Sequence, residues 1–400
     1  MPGNQTAVLE AQGACKPPEP PAELSAAIYI HDLSPGGVER QTLVLARELR
    51  ARGVLVTLVV HQYRGELVSL VPDSLPVVVL GGNRTLRDVL DLRRYLRTER
   101  PDVLMANVDH CNIAATLAKA VSGTATRLII CQHNPLTPGF HATVNWKHRV
   151  VPFAYRRLAS WIDHAIAVSN GIADELVNHG GLPQDRVSTI FNAVIGEDFA
   201  DRADAPIETS APEAAAALAW FRQRDRPVFL TAGRLVEMKD HRNLLRAFAR
   251  YLKVRDGRLV ILGVGPLQAE LQALAESLGI AAHVCFAGFV KNPLPLMRQA
   301  DAFVLSSRSE GFGNVIVEAL GCGTPVVATD CPHGPSDILE HGRYGLMVPP
   351  QDDAALAAAM TEILTAGHRF PPALLRERAR MFSYRACADG YDRLFRVLVG

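Results

Sequence analysis

Two glutamates eight residues apart, Glu310 and Glu318, carry the plainest chemical signal in the chain. They lie in the run Ser306-Ser-Arg-Ser-Glu310-Gly311-Phe312-Gly313-Asn314-Val315-Ile-Val-Glu318. An apolar stretch ending near 305 predicts a strand, the glycines predict a turn, and a helix is predicted to begin at Asn314 or Val315. A helix start offers unpaired N–H groups and the positive end of the helix dipole, so residues 313–315 are a ready place for an anion. Glu310 stands just before that helix and Glu318 within it. The two carboxylates therefore need not compete for one position: one can hold a hydroxylated ring beyond the turn, the other a ribose. A bare pair of glutamates would more simply be a cap and a surface residue. The strand–turn–helix setting turns the reading to function.

A second constellation is Thr231-Ala-Gly-Arg234-Leu-Val-Glu-Met-Lys239-Asp240, again at the predicted end of a strand. Arginine grips phosphate oxygens through two N–H groups and lysine supplies a compact charge, the pair a departing diphosphate would need. Gly36 and Gly37 follow the first predicted strand and precede a long helix, where bare backbone can approach a ligand. Gly263-Val-Gly265-Pro266 also follows a strand, but position 268 is Gln, so the dinucleotide pattern is incomplete and argues only weakly for a nicotinamide. His133 and His110 each sit just past a predicted strand. Either could face a cleft, and His133 is preferred.

The elements that must position these residues alternate from end to end. Short β-rich runs are predicted at 26–31, 54–61, 76–80, 103–106, 127–131, 165–168 and 187–190. After a gap they resume at 228–232, 259–262, 284–287, 302–305, 325–328 and 345–348, with amphipathic stretches between. That alternation is the mark of βαβ units and parallel sheets. The fold class expected is α/β, with two doubly wound Rossmann-like domains facing across a cleft. Residues 1–24 are predicted to be a disordered tail, 25–200 the first domain, and 201–227 the connection, with a short helix near 214–222. Residues 228–372 form the second domain, and 373–400 a helical segment able to return to the first.

Composition closes off other classes. The 400 residues are 48% apolar and 21% charged, with net charge +1, so the chain is globular and has no overall case for nucleic-acid binding. Seven scattered cysteines lack paired zinc-site spacing and suit a reduced, cytoplasmic setting. No apolar run is long enough to span a membrane, and the first 24 residues lack the basic start and apolar core of a signal peptide.

Glu310-x7-Glu318 followed by Ala-Leu-Gly-Cys-Gly-Thr-Pro-Val-Val-Ala-Thr-Asp resembles the retaining, GT-B-fold glycosyltransferases of the group 1 (GT4-type) family, a likeness running from about residue 26 to the C-terminus. The resemblance implies that Glu310 holds the donor sugar and Glu318 the nucleotide ribose, and that Arg234 and Lys239 bind the diphosphate. It implies that Gly263 and Gly265 shape the nucleotide pocket and that Phe289 and Val290 lie by the base. Gly311, Phe312, Gly313, Asn314 and Val315 would line the donor. Gly36 and Gly37 would stand beside its phosphate, and His133 near its anomeric carbon. Val38 stands where family members often carry Ala, and Ala193 where an Asn-Gly-Val turn is common. The implied activity is transfer from a nucleotide-sugar donor, a substrate rather than a cofactor, with retention and without metal. No Asp-x-Asp element stands at the donor site, and Arg and Lys can do a metal's electrostatic work. Cys331-Pro-His-Gly334-Pro335-Ser-Asp-Ile-Leu resembles members using UDP-linked hexoses or N-acetylhexosamines, which favours UDP over GDP. A GT-B-fold sugar-nucleotide epimerase and a non-enzymatic nucleotide-sugar-binding protein are the alternatives.

Between Asp109 and Asp163 there are six Lys or Arg (119, 127, 147, 149, 156, 157) and no acidic residue. Trp146, Phe153, Tyr155, Leu158 and Trp161 interleave with them, and Pro152 is predicted to open a helix. The mixture suits an anionic membrane surface. It predicts peripheral attachment at the cytoplasmic membrane face and a saccharide acceptor that is lipid-linked.

Overall fold

The computed structural model describes residues 23–34, 36–81, 85–136, 146–207, 212–366 and 368–400. The thirteen predicted strands are present as two parallel sheets. The first sheet holds β1 (Ser25–Ile30), β2 (Leu55–Val60), β3 (Val77–Val79), β4 (Val103–Asn107), β5 (Arg127–Gln132), β6 (His164–Ala167) and β7 (Val187–Thr189). Its order is β3-β2-β1-β4-β5-β6-β7. The second holds β8 (Val228–Ala232), β9 (Arg258–Leu262), β10 (Val284–Gly288), β11 (Ala302–Leu305), β12 (Val326–Thr329) and β13 (Leu346–Val348), in the order β10-β9-β8-β11-β12-β13. Each winds outward from its first strand and then reverses, between β1 and β4 in one sheet and between β8 and β11 in the other. At such a reversal neighbouring loops part and leave a crevice at the strands' carboxyl ends.

The strands read as continuous apolar runs because helices cover both faces. β4 is buried along its whole length, as are β8 and β11. The helix His241–Leu252 shows the complementary pattern: Leu244, Leu245, Phe248 and Tyr251 point inward at helical spacing, and Phe248 and Tyr251 pack on Phe229 of β8. The connection holds two helices, Phe199–Asp204 and Pro212–Gln223.

The chain's last helix, Tyr384–Val399, lies against the helix Gly37–Ala51 of the first sheet. Tyr391 and Phe395 enter the core beneath β1 and β2, while Arg52 bonds Asp389 at 2.7 Å and the carbonyl of Arg385 at 3.1 Å. A second tie between the halves is aromatic. Phe191, just past β7, stacks on Phe312 at 5.6 Å, and Phe382 packs edge-on against both. The backbone N–H groups of Val194 and Ile195 donate to the carbonyl of Phe382. Ala193 in this crossing keeps a negative φ, so the segment makes no demand for glycine there.

One local prediction fails. Pro152 lies inside the helix Trp146–Leu158 instead of opening it. Its missing N–H removes one internal bond, a loss that the flanking turns carry.

Candidate active site

The two cationic and acidic loops predicted from sequence meet at the reversal point of the second sheet. The loop after β8 carries Arg234 and Lys239; the loop after β11 carries Glu310. Lys239 Nζ donates to Glu310 Oε1 at 2.5 Å, and Ser307 Oγ donates to the same oxygen at 2.6 Å. Thr329 at the end of β12 holds the Ser307 carbonyl through its hydroxyl, at 2.6 Å. Four more hydrogen bonds fasten the loops. Ser306 Oγ donates to the Lys239 carbonyl, the Arg308 N–H donates to the Met238 carbonyl, and the Arg308 guanidinium grips buried Asp240 at 2.8 and 3.2 Å. Asp240 in turn caps the helix His241–Leu252, its carboxylate accepting from the Asn243 N–H. Lys239 and Glu310 are thus held in place from both sides. Glu310 is 6% exposed, and Arg234 is exposed and makes no side-chain bond among the described residues.

Gly263 and Gly265 build this arrangement from behind. Gly263 has φ +129°, and a Cβ on it would sit 2.0 Å from the Gly233 carbonyl oxygen. At Gly265 a Cβ would sit 2.4 Å from the Leu235 carbonyl oxygen. The two glycines let the loop after β9 lie flat on the loop that carries Arg234. Phe289, past β10, is 73% exposed, and Val290 beside it is half-buried.

The helix Asn314–Cys322 begins where predicted, with Gly313 capping it at φ +100°. Its first amides, those of Asn314 and Val315, stand beyond the Glu310 turn, an arrangement able to receive an oxyanion. Asn314 Oδ1 also accepts from Asn192 Nδ2 at 3.0 Å, tying the helix start to the crossing segment from the first domain. The Phe312 ring is 2% exposed and serves the aromatic tie between the halves, so what it can offer a ligand is backbone. Glu318, one turn into the helix, is half-buried. Burial pushes its carboxyl up to about 7, against the opposing pull of Arg202 and Arg40.

From the first domain, His133 follows β5 and faces this site. Its carbonyl rests on Gly311, where a Cβ would come within 2.1 Å, so that glycine is what lets the halves touch. The His133 ring is held by Asn107 Oδ1 at 3.1 Å from Nε2, and burial pushes its pKa down to about 4. The imidazole is therefore neutral near pH 7, and with Nε2–H donating to Asn107 its Nδ1 is an acceptor. Gly36 caps the helix that starts at Gly37; the Glu39 carboxylate folds back over Gly36, where a Cβ would lie 2.0 Å from it. His110, the rival to His133, stands apart from it, in a group with His31.

Asn107, Ser307 and Asp240 were not singled out from the sequence; Asn107 positions His133, Ser307 positions Glu310, and Asp240 fastens the two loops through Arg308. Asn107 and Asp240 act through pairings 26 and 68 residues apart, which no local spacing displays, whereas Ser307 lies three residues from Glu310. A hollow of about 580 Å³ lies at the amino-terminal ends of β4 and β5 and is lined by none of the predicted site residues. Among the described residues no three His, Cys, Asp or Glu side chains converge to hold a metal ion.

Two doubly wound Rossmann-like halves, tied by the Asn192–Asn314 bond and the Phe191–Phe312 stack, make the GT-B fold. Solved structures agree on the fold. A glycosyltransferase from Rickettsia africae ESF-5 superposes with TM-score 0.75 at 17% identity, covering 94% of this chain and 99% of the other. Anabaena Alr3699/HepE in complex with UDP superposes with TM-score 0.74 at 20% identity, covering 94% and 100%. The family model for glycosyl transferases group 1 matches residues 219–386, and that for glycosyltransferase family 4 matches 35–195. The N-acetylgalactosamine-N,N'-diacetylbacillosaminyl-diphospho-undecaprenol 4-alpha-N-acetylgalactosaminyltransferase of Campylobacter jejuni is 30% identical over 276 residues, 69% of this chain and 70% of its own length. The lipopolysaccharide core biosynthesis glycosyltransferase LpsE of Rhizobium meliloti is 29% identical over 341 residues, 84% and 88%. The chain belongs to the group 1, GT4-type glycosyltransferases.

Proposed function

We propose that this glycosyltransferase moves a hexose or N-acetylhexosamine from a UDP-sugar to a saccharide acceptor in cell-surface glycan assembly, with retention of configuration and without a metal ion. The observation that carries the reading is the Lys239–Glu310 contact across the reversal point of the second sheet, with Arg234 unpaired beside it. A sugar diphosphate entering there meets Arg234, Lys239 and the first amides of the helix Asn314–Cys322. These groups neutralise charge as it develops on the leaving group and need no reorganisation to do so. Glu310, held by Lys239 and Ser307, accepts hydroxyls of the transferred sugar, and Glu318 accepts those of the ribose. The acceptor hydroxyl attacks on the face that the diphosphate leaves, and a departing phosphate oxygen takes its proton. Neutral His133, in contact with Gly311, accepts a hydrogen bond from a sugar hydroxyl through Nδ1.

The UDP preference is supported by the Anabaena complex, and the lipid-linked glycan acceptor by the names of the Campylobacter and Rhizobium relatives. Membrane attachment draws support from the helix Trp146–Leu158 and the turn after it. Phe153 is 59% and Trp161 47% exposed, and Arg157 lies over the Phe153 ring at 5.2 Å. The patch is narrower than the sequence suggested. Tyr155 and Leu158 belong to the core, and Arg156 is spent on the carbonyls of Asn178 and His179. The side chains of Trp146, Lys147 and Arg149 lie outside the described residues. Among the described residues no helix is long and apolar enough to cross a membrane.

The test is turnover of a panel of UDP- and GDP-sugars with lipid-linked and free saccharide acceptors, in excess EDTA, with the product's anomeric proton read by NMR. Transfer from a UDP-sugar in EDTA with an unchanged anomeric configuration is expected. Inversion, or activity that returns only with magnesium or manganese, contradicts the reading.

A further inference from the structure

The reversal point of the first sheet, between β1 and β4, is lined by imidazoles. His31 follows β1, His61 follows β2, and His110 opens the helix Asp109–Ser122 after β4. The His31 and His61 rings stack at 5.0 Å and 16°, and His110 meets His31 edge-on at 5.2 Å. His61 is 2% exposed, with its Nδ1 3.0 Å from Asp88 Oδ1. His31 is half-buried and His110 exposed, and no ring nitrogen of either is bonded to a described residue. The rings meet by faces and edges, so their nitrogens do not converge as metal ligands do.

Backbone strain marks the same place. Val108, a β-branched residue, is held at φ 64° and ψ 153°, and such a conformation persists only where its surroundings fix it. It separates Asn107, which holds His133, from Asp109, whose carboxylate accepts from Gln132 Nε2 at 2.8 Å, and from His110. The strained peptide lets one strand end serve the donor-side histidine and the imidazole cluster together.

The charges around the cluster are mainly negative. Asp32 and Asp88 lie against it, with Glu39 beside Asp32, and the cation paired with Asp32 is Arg64, 3.6 Å away. A second negative ligand would be repelled, whereas a neutral hydroxylated ring finds donors, acceptors and imidazole faces. We infer that His31 and His110 hold the terminal sugar of the acceptor, and that this sugar is uncharged, a hexose or N-acylhexosamine and not a uronic acid or sugar phosphate. His61 and Asp88 are positioning residues behind them. The inference rests on the glycosyl-transfer reading and specifies the chemical class of its acceptor.

The experiment compares acceptors on one common aglycone ending in hexose, N-acetylhexosamine, hexuronic acid or hexose phosphate. The neutral acceptors should have kcat/KM at least about tenfold above the acidic ones, as for one unmade buried hydrogen bond. His110→Ala and His31→Ala should each raise acceptor KM about tenfold while leaving donor KM and acceptor-free donor hydrolysis unchanged. His110→Gln, which keeps a donor and an acceptor, should recover part of that loss. Preference for a uronic or phosphorylated acceptor, or an unchanged acceptor KM in His110→Ala, overturns the inference. So does a donor KM that moves as far as the acceptor KM. Donor hydrolysis and UDP binding by the wild type read the donor site alone. Their absence overturns the glycosyl-transfer reading, and their presence beside a failed acceptor panel overturns only this one.

Discussion

The two sheets reverse in the same way but load their reversal points with different chemistry. In the second domain the crevice between β8 and β11 carries fixed charge, with Lys239 against Glu310 and Arg234 unpaired. In the first, the crevice between β1 and β4 carries stacked imidazoles and carboxylates, with Arg64 paired to Asp32. The contrast matches the two partners of a glycosyl transfer. A leaving diphosphate gains negative charge in the transition state and needs preorganised cations. An incoming hydroxyl is neutral until late and needs orientation. One architecture serves both because the fold fixes where a ligand binds, while the loop residues fix what it is.

The sharpest way to break this division is to remove charge from the second crevice. Arg234→Ala should lower kcat about a hundredfold or more, roughly 3 kcal/mol, with thermal unfolding unchanged because the exposed Arg234 side chain makes no bond among the described residues. Full kcat in that variant, measured with saturating donor and acceptor, would place the diphosphate elsewhere. Next in size is Gly263→Ala. Its Cβ would press on the Gly233 carbonyl, so the Arg234 loop must shift, and transfer should fall about tenfold or more through a higher donor KM. Wild-type kinetics would show that the close approach of the two loops is dispensable.

Glu318→Gln should be milder, weakening UDP affinity a few-fold, about 1 kcal/mol, with kcat nearly unchanged. The pH dependence gives it a signature. With its carboxyl raised to about 7, Glu318 is protonated below that point and ionised above it. Ribose hydroxyls favour the anion, so UDP binding should tighten from pH 6 to pH 8 and release a proton. The sign for stability is opposite. A raised native pKa favours folding below the unfolded carboxyl value, near pH 4, and that contribution is lost as pH rises through 7. Calorimetry of UDP binding across this range should show the slope in the wild type and its absence in Glu318→Gln. The smallest effect belongs to the first domain's surface. Phe153→Ser with Trp161→Ser should weaken sedimentation with anionic liposomes several-fold while leaving transfer to a free saccharide intact. Unaltered sedimentation would remove the membrane role of that patch.

The contrast between the crevices also governs what could be read from sequence. The charged crevice is built from two short runs, 231–240 and 306–318, each with its own strand, turn and helix start, so residue type and spacing suffice. The strands were legible for a similar reason: β8 and β11 are buried throughout and read as unbroken apolar runs. The imidazole crevice is assembled from positions 31, 61, 88 and 110, which only sheet order brings together. Val108 gives no warning of its strain, since a valine after a strand looks ordinary. Pro152 was misplaced because a proline opens helices more often than it interrupts them, and here its helix tolerates the lost bond.

The central claim, that the second crevice drives catalysis by neutralising a departing diphosphate, is tested most directly by Lys239→Ala assayed for transfer from a UDP-sugar with both substrates saturating. Thermal unfolding confirms that the variant is folded. The expected result is a folded protein whose kcat has fallen about a hundredfold or more. A folded Lys239→Ala with wild-type kcat would contradict the account.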